Sequence, residues 1–367
     1  MSPSLRFPEF TGEWEKCKIE DITDAVSSGK SKNHFSNGEY NLYGSTGIIG
    51  RTDKALYDGK LVLVARVGAN AGFLQIINEP CGITDNTLIL KPKGIDAFYL
   101  YYFLQHFNLN RLIFGSGQPL ITGGMLKKVK VSLGTISEQS KIVKFLSLLD
   151  ERIATQVRLI DRLQSLIKGI NRTIFTGSGL EYSLCDVCEI RSGYSGNQLQ
   201  GGKGLGVSRI ETISAHNINL ERIGYVAPFD ASENYRLQVG DILFSNINSV
   251  EYIGNTAFID KDYNLYHGMN LLRLIPFRNV VVPFYLYILL NTNRMLKHFK
   301  TICNKAVSQA SINQKELGKT IVMLPSLEKQ KQVCNIYQAM YSKLKTEKDV
   351  LSFYQEQKRY LLRHMFI

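Results

Sequence analysis

The chain has 367 residues, 44% of them hydrophobic and 21% charged, with 30 glycines and 9 prolines. That length accommodates two or three domains, and the composition excludes collagen-like and low-complexity disordered chains. A net charge of +12, spread along the chain, favours a polyanionic partner, either nucleic acid or an anionic membrane surface.

Met1 to Thr11 holds Arg6, Glu9 and two prolines and lacks the apolar stretch of a secretory leader. No apolar run approaches the ~20 residues of a membrane span. Ala97–Leu104 and Val280–Leu290 are shorter and read as core. Six cysteines in a chain this long do not make a disulfide scaffold, so a reducing cytoplasm and no membrane are expected.

In chain order, Leu61–Ala65, Asn86–Leu90 and Val129–Leu133 predict strands. Gly and Asn clusters separate them, at Ser27–Lys30, Gly44–Gly47 and Gly68–Asn70. A long helix is then predicted from Ser137 to Ile174. Its heptad rows are Ile142, Leu149, Gln156, Leu163, Ile170 and Leu146, Ile153, Ile160, Ile167, Ile174, aliphatic except for Gln156. Thr176-Gly-Ser-Gly179 is a flexible break. Asp241–Ser245, Asn255–Ile259, Leu271–Ile275 and Lys319–Leu324 predict further strands. The chain closes on a second, less regular heptad helix. One of its rows is Val333, Met340, Glu347, Tyr354, Leu361, and the other is Tyr337, Leu344, Leu351, Lys358, Met365. The two seams differ enough to favour pairing with each other as a coiled coil, although packing of each helix on its own domain is the alternative.

The chain also repeats itself. Trp14-Glu-Lys-Cys-Lys-Ile19 aligns with Tyr182-Ser-Leu-Cys-Asp-Val187, and Phe98-Tyr-Leu100 aligns with Phe284-Tyr-Leu286. Gln118, Ile121 and Leu126 match Gln309, Ile312 and Leu317 at an offset of 191, which also carries Leu133–Gln139 onto Leu324–Gln330. The fold class is therefore α/β (α+β): two tandem mixed α/β domains, 1–135 and 178–325, each followed by a long helix, 136–177 and 326–367.

Common catalytic patterns are missing. Gly29-Lys30-Ser31 lacks the earlier glycine of a phosphate loop, since Asp24 stands there. Gly202-x-Gly204-x-Gly206 has the wrong spacing for a dinucleotide and reads as a turn. Cys185-x-x-Cys188 has no second pair to complete a zinc site, so buried thiols and no metal are expected. The six histidines form no metalloprotease pattern, and there is no Asn/Asp-Pro-Pro-aromatic loop to hold a base amine. Glu356-Gln-Lys358 reads as helix surface.

Loops that combine small residues with amide, hydroxyl and basic donors suit phosphate and base-edge contacts. In the first half they offer Lys30, Lys32, Asn33, Ser45, Thr46, Arg51, Arg66, Asn70 and Gln118. In the second half they offer Arg191, Tyr194, Lys203, Arg209, His216, Asn246, Asn248 and Gln309. Asn291–Lys305 adds Arg294, Lys297, Lys300 and Lys305 without an acid. Each loop also reads as an ordinary turn, and the basic run as a solvated helix face.

At this point the chain resembles the specificity (S, HsdS) subunits of type I restriction-modification systems over nearly its whole length. The segments leading into the helices carry the likeness: Lys130-Val-Ser-Leu-Gly-Thr-Ile-Ser-Glu-Gln139 and Val322-Met-Leu-Pro-Ser-Leu-Glu-Lys-Gln330. The first has Ser132 and Gly134 where the family often has proline. Val207–Ile213 and Gly240–Ser249 are similar to recurring recognition-domain segments, with Asn246 where arginine is usual. Tyr43–Gly50 and Ala65–Gly72 resemble another recognition-domain subtype.

The resemblance implies a non-catalytic chain that reads a split duplex DNA target, one recognition domain per half-site. The two helices pair as an antiparallel coiled coil, set the gap and dock two modification subunits, which methylate adenine with S-adenosylmethionine, and restriction subunits join the full complex. This chain itself binds no cofactor in that reading. The alternatives are a coiled-coil adaptor that binds protein rather than DNA, and a remnant of a fused methyltransferase or nuclease.

Overall fold

The computed structural model describes residues 2–32, 37–113, 119–174, 179–199, 202–213, 217–305 and 309–367, the side chains of 171–174 excepted. Two compact units divide the chain, one of Met1–Leu159 with Glu347–Ile367, the other of Ile160–Thr346. No helix among the described residues is long and apolar enough to cross a membrane.

The first half runs through strands β1 (Glu15–Lys18), β2 (Thr23–Ser28), β3 (Tyr40–Gly44), β4 (Gly47–Thr52), β5 (Lys60–Ala65), β6 (Leu74–Asn78), β7 (Cys81–Ile83) and β8 (Thr87–Pro92). Helix α1 (Ala97–Phe107) follows, with the Asp96 carboxylate accepting from the Phe98 and Tyr99 N–H groups at its N-terminus. Helix α2 (Gly123–Lys127) and strand β9 (Lys130–Leu133) then lead into helix α3 (Ile136–Ile174). An antiparallel sheet has the order β2-β8-β5-β6. Strand β5 is buried on both faces, which is why it reads as an unbroken apolar run. Val62 and Val64 enter the core that holds α1, and Leu61 and Leu63 enter a second core with Ile77 and Ile83.

The second half repeats this plan with an insertion. Its elements are β10 (Leu180–Ser183), α4 (Leu184–Val187), β11 (Cys188–Ser192), β12 (Leu205–Val207), β13 (Gly224–Val226), β14 (Ile242–Phe244), β15 (Ile247–Asn248), β16 (Thr256–Phe258) and β17 (Leu272–Pro276). Then come α5 (Pro283–Leu290), α6 (Asn293–Ile302), β18 (Asn304–Lys305), β19 (Ala310–Ser311), α7 (Gln314–Gly318), β20 (Ile321–Leu324) and α8 (Leu327–Met365). The main sheet, β11-β17-β14-β16, has the same antiparallel order as the first.

Strand pairing corrects the repeat near each start. Glu15 lies opposite Leu133, and Leu180 lies opposite Leu324. The N–H of Lys18 donates to Asp21 at 2.8 Å, and that of Ser183 donates to Asp186 at 3.0 Å. These matched contacts make Cys17 equivalent to Tyr182 and Trp14 equivalent to Gly179. The sequence alignment of Trp14 with Tyr182 is therefore three residues out, because it followed a shared cysteine rather than the strand register. The expectation for the Cys185–Cys188 pair also needs correction: Cys188 is buried, but Cys185, on a one-turn helix, is exposed.

Helices α3 and α8 each have 39 residues, about 58 Å of helix at 1.5 Å per residue. In the first unit, Ile142, Leu146, Leu149 and Leu361 are buried in one core, with Ile153 and Tyr354 packed against it. In the second, Ile160, Ile167, Val333, Tyr337 and Leu344 are buried, and Leu163, Ile170 and Met340 are half-buried. Leu351, in the first unit, is also half-buried. The helices run antiparallel in the first unit, because Gln156 meets Glu347 while Asp150 meets Lys358 at 2.6 Å. Lys358 is thus a seam residue rather than helix surface, and its ammonium also lies 5.4 Å from the Tyr102 ring centre.

Leu146→Ala, at a fully buried position, is expected to lower unfolding free energy by about 2–5 kcal/mol. Leu148→Ala, at a side chain 50% exposed, is expected to stay within about 0.5 kcal/mol of the parent. Urea unfolding of the two variants measures the contrast.

Candidate nucleic-acid interface

In the first unit, several polar loops converge at one end of the β2-β8-β5-β6 sheet. After β5 the chain turns back through Arg66–Gly72, closed by bonds from Ala65 N to Phe73 O and from Gly72 N to Ala65 O, both 2.8 Å. Gly72 has φ +87°, a conformation that side chains rarely adopt. The Asn86 carbonyl accepts from the Arg66 N–H at 2.9 Å and the Ser45 hydroxyl at 3.3 Å. The Arg66 guanidinium reaches the Ser28 hydroxyl at 3.5 Å, which is at the edge of hydrogen bonding. Its buried Nε has no partner among the described residues. Lys30 and Lys32 follow Ser28 and line a cleft of about 300 Å³ with Ser31, Thr52 and Lys54. Thr46 and Asn70 are exposed on adjoining loops.

The second unit builds the same sheet end from different residues. The loop after β14 is closed by Ser245 N to Asn255 O at 2.7 Å and Gly254 N to Ser245 O at 2.9 Å. The Arg66 carbonyl accepts from Ile121 N at 2.8 Å, and the Asn246 carbonyl accepts from Ile312 N at 2.9 Å. Arg66 and Asn246 therefore occupy one position of the repeat. The Asn246 amide donates to the Ile312 carbonyl at 3.3 Å, and the Asn248 amide donates to the Ser245 hydroxyl at 3.1 Å. Strand β15 pairs with β19 and β19 with β18, which brings Lys305 and the exposed Gln309 beside Asn248. Tyr194 lies stacked on Phe229, with ring centres 3.6 Å apart and planes 3° from parallel, and both rings meet Tyr235 edge-on.

His267 anchors this end. The Tyr194 N–H donates to its carbonyl at 2.9 Å, and its Nε2 donates to the Leu271 carbonyl at 3.0 Å. Burial holds the imidazole down at about 4, so it is neutral at pH 7. Asp241 and Arg273 form a buried pair at 2.6 Å that ties β14 to β17. Burial lifts the Asp241 carboxyl above its ordinary range even beside that arginine.

Other sequence candidates lie apart or have different occupations. Arg51 donates to the Gly38 and Glu39 carbonyls at 2.8 and 3.1 Å. Arg191 makes a two-pronged pair with Glu189 at 2.6 and 2.9 Å. Arg209 lies 3.8 Å from Glu211, and Lys203, Arg294 and Lys297 are exposed. Asn33, Gln118 and His216 lie outside the described residues. Sequence reasoning missed Lys54, Asn86 and His267. Asn86 had a signal, a polar pair just before an apolar strand. His267 had none, because its bond to Leu271 depends on the sheet. Among the described residues, no cluster of His, Cys, Asp and Glu could hold a metal ion.

A duplicated mixed α/β domain, each copy running into a long helix, is the class of protein this fold defines. The family model for the type I restriction modification DNA specificity domain matches residues 11–165 and 180–352. The chain belongs to that family, the specificity subunits of type I restriction-modification systems. A protein of Methanocaldococcus jannaschii, provisionally named the MjaX type I restriction enzyme specificity subunit, is 38% identical over 187 residues, 50% of this chain and 44% of that protein. The MjaVIII specificity subunit of the same organism is 26% identical over 334 residues, 81% of this chain and 74% of that one. The chain thus spans less than half of the first relative and about three-quarters of the second. The crystal structure of the type I S subunit from M. genitalium shares the fold, with a TM-score of 0.67 at 19% identity over 100% of this chain and 99% of that chain.

A depressed histidine stabilises the folded chain above its unfolded value of 6.5, and that contribution is lost as pH falls toward about 4. Between pH 7 and pH 4, His267→Gln is expected to lose roughly 3 kcal/mol less stability than the parent. Urea unfolding at both pH values measures the difference.

Proposed function

We propose that this chain is the DNA-reading, non-catalytic subunit of a type I restriction-modification complex, with each unit reading one half of a split duplex target. The observation that carries the reading is the pair of matched sheet ends. Both present polar loops in the same backbone frame, yet Arg66 in one is Asn246 in the other. Arginine suits guanine and phosphate, and asparagine suits adenine, so the half-sites differ in sequence. A net charge of +12 supports attraction to a polyanion.

Helices α3 and α8 serve as the spacer between half-sites and as the platform for the modification subunits, two of them in this reading. Exposed apolar side chains on the helices support docking: Leu148 and Phe353 in the first unit, Leu166 and Ile336 in the second. S-adenosylmethionine belongs to the modification subunits, restriction subunits complete the assembly, and the complex works in the cytoplasm.

Selection from a randomised duplex pool, using the chain with its modification subunit, tests the proposal. Two different short motifs at a constant gap are expected, with affinity falling steeply as salt rises. A folded complex that enriches no motif points instead to a protein adaptor. Arg66→Ala is expected to relax selection in one half-site only, by about 1–3 kcal/mol at the base it contacts. Removing one heptad from each helix, roughly 10 Å of length, is expected to change the gap and leave both half-sites intact. Sequencing of the selected pools reads both outcomes.

A further inference from the structure

The two units fill the space behind their matched loops differently. Gly72 and Gly254 close those loops at equivalent positions, with φ +87° and +85°. A Cβ on Gly72 would come within 3.2 Å of Leu109, and one on Gly254 within 2.6 Å of the Phe299 ring. Leu109 and Phe299 thus seat the following segment against the same glycine. In the first unit that segment is a single 3-10 turn, Leu109–Leu112, and Arg111 is the only Lys or Arg between Ala97 and Leu126. In the second it is α6, ten residues long.

The Thr292 hydroxyl accepts from Met295 N at the start of α6, and the extended backbone of Cys303 ends it. One face is apolar: Met295 and Phe299 are buried, and Phe299 meets Phe244 of β14 edge-on with ring centres 5.0 Å apart. On the other face Asn293, Arg294, Lys297 and Thr301 are exposed. Neither Arg294 nor Lys297 forms an ion pair with a carboxylate among the described residues. The chain has no Asp or Glu between Asp262 and Glu316. Arg294 and Lys297 stand apart from the loops themselves, but α6 is fixed to them. It leads through Cys303 into β18, which is joined by β19 to β15 and Asn248.

We propose that the exposed face of α6 binds the phosphodiester backbone of the duplex beside the second unit's half-site, a grip with no counterpart of equal charge in the first unit. From Arg294 to Thr301 the face covers about 10 Å, the axial reach of about three phosphates of one strand. Phosphate contacts position a protein on DNA and carry no base information. Helix α6 therefore strengthens binding without choosing the sequence, and the two half-sites are held unequally. This inference rests on the DNA reading above and adds which unit supplies the larger salt-sensitive share of the affinity.

The test uses the full chain with its modification subunit and two labelled duplexes, the selected target and a scrambled one, in fluorescence anisotropy titrations across a salt series. Arg294→Gln combined with Lys297→Gln is expected to weaken binding to both duplexes by the same factor, roughly tenfold or more at about 0.1 M salt, and to reduce the slope of log affinity against log salt by about 1.8. Arg294→Lys combined with Lys297→Arg keeps the charge and is expected to keep the slope. Lys315→Gln combined with Lys319→Gln removes the same charge beside Cys185 and Phe277, at the opposite end of the β11-β17-β14-β16 sheet, and is expected to leave the slope unchanged. Thermal unfolding checks that each variant folds as the parent does. An unchanged slope in the Arg294 and Lys297 glutamine variant, while the parent binds its target, overturns the inference and leaves the DNA reading standing. Weakening confined to the selected duplex makes the face a base reader and also overturns it. Equal loss of slope from both glutamine pairs reduces α6 to bulk charge and overturns it as well. A parent complex that binds neither duplex, but binds phosphatidylserine vesicles through Arg294 and Lys297, overturns this inference together with the DNA reading.

Discussion

Each long helix leaves its domain through a buried glutamine that bonds the carbonyl five residues before it. Gln139 donates to Gly134 O at 3.0 Å, and Gln330 donates to Pro325 O at 2.9 Å. These bonds join the end of a strand to the first turn of a helix, where four N–H groups have no partner within the helix. In the second unit, the same side chain also accepts from Val282 N at 2.8 Å, at the start of α5. The first turn of each 39-residue helix is thereby tied to the segment that leads into it.

The polar interruptions of the apolar rows meet one another. Gln156 and Glu347 are separated by 191 residues, the offset of the repeat, and they bond across the helix pair. Lys358 finds Asp150, whose carboxylate also accepts from the Tyr102 hydroxyl at 2.8 Å. A buried polar group without a partner costs about 1–3 kcal/mol, so such residues persist in a seam only where a partner faces them. Pairings of this kind favour one register over others that would leave a charge uncovered.

The two sheet ends show how one frame holds different chemistry. Backbone bonds carry the loop after β5 and the loop after β14, and those bonds do not depend on side-chain identity. Arg66 and Asn246 thus stand at one backbone position with different side-chain partners, Ser28 for the first and the Ile312 carbonyl for the second. Insertions are tolerated in the same way, since 193–240 adds β12, β13 and the stacked Tyr194 and Phe229 outside the four main strands.

The amino-acid sequence alone determined the duplicated plan, the two long helices and the buried strands. Each of these follows from a local pattern: an unbroken apolar run for β5 and β14, a heptad row for α3 and α8, and for the repeat an offset of 191 that holds from Gln118 to Gln139. The family likeness was legible from the same segments. Contacts between distant residues were not. The true equivalence of Trp14 with Gly179 required the register of β1 against β9 and β10 against β20. Arg51 and Arg191 read as free donors, and only the tertiary structure showed them bound to nearby carbonyls and to Glu189. Asn86 and His267 had to wait for it too. The physical reason is that hydrophobic periodicity is written along the chain, whereas a hydrogen-bond partner, a buried charge or an unfilled volume is decided by which residues the packed fold brings together.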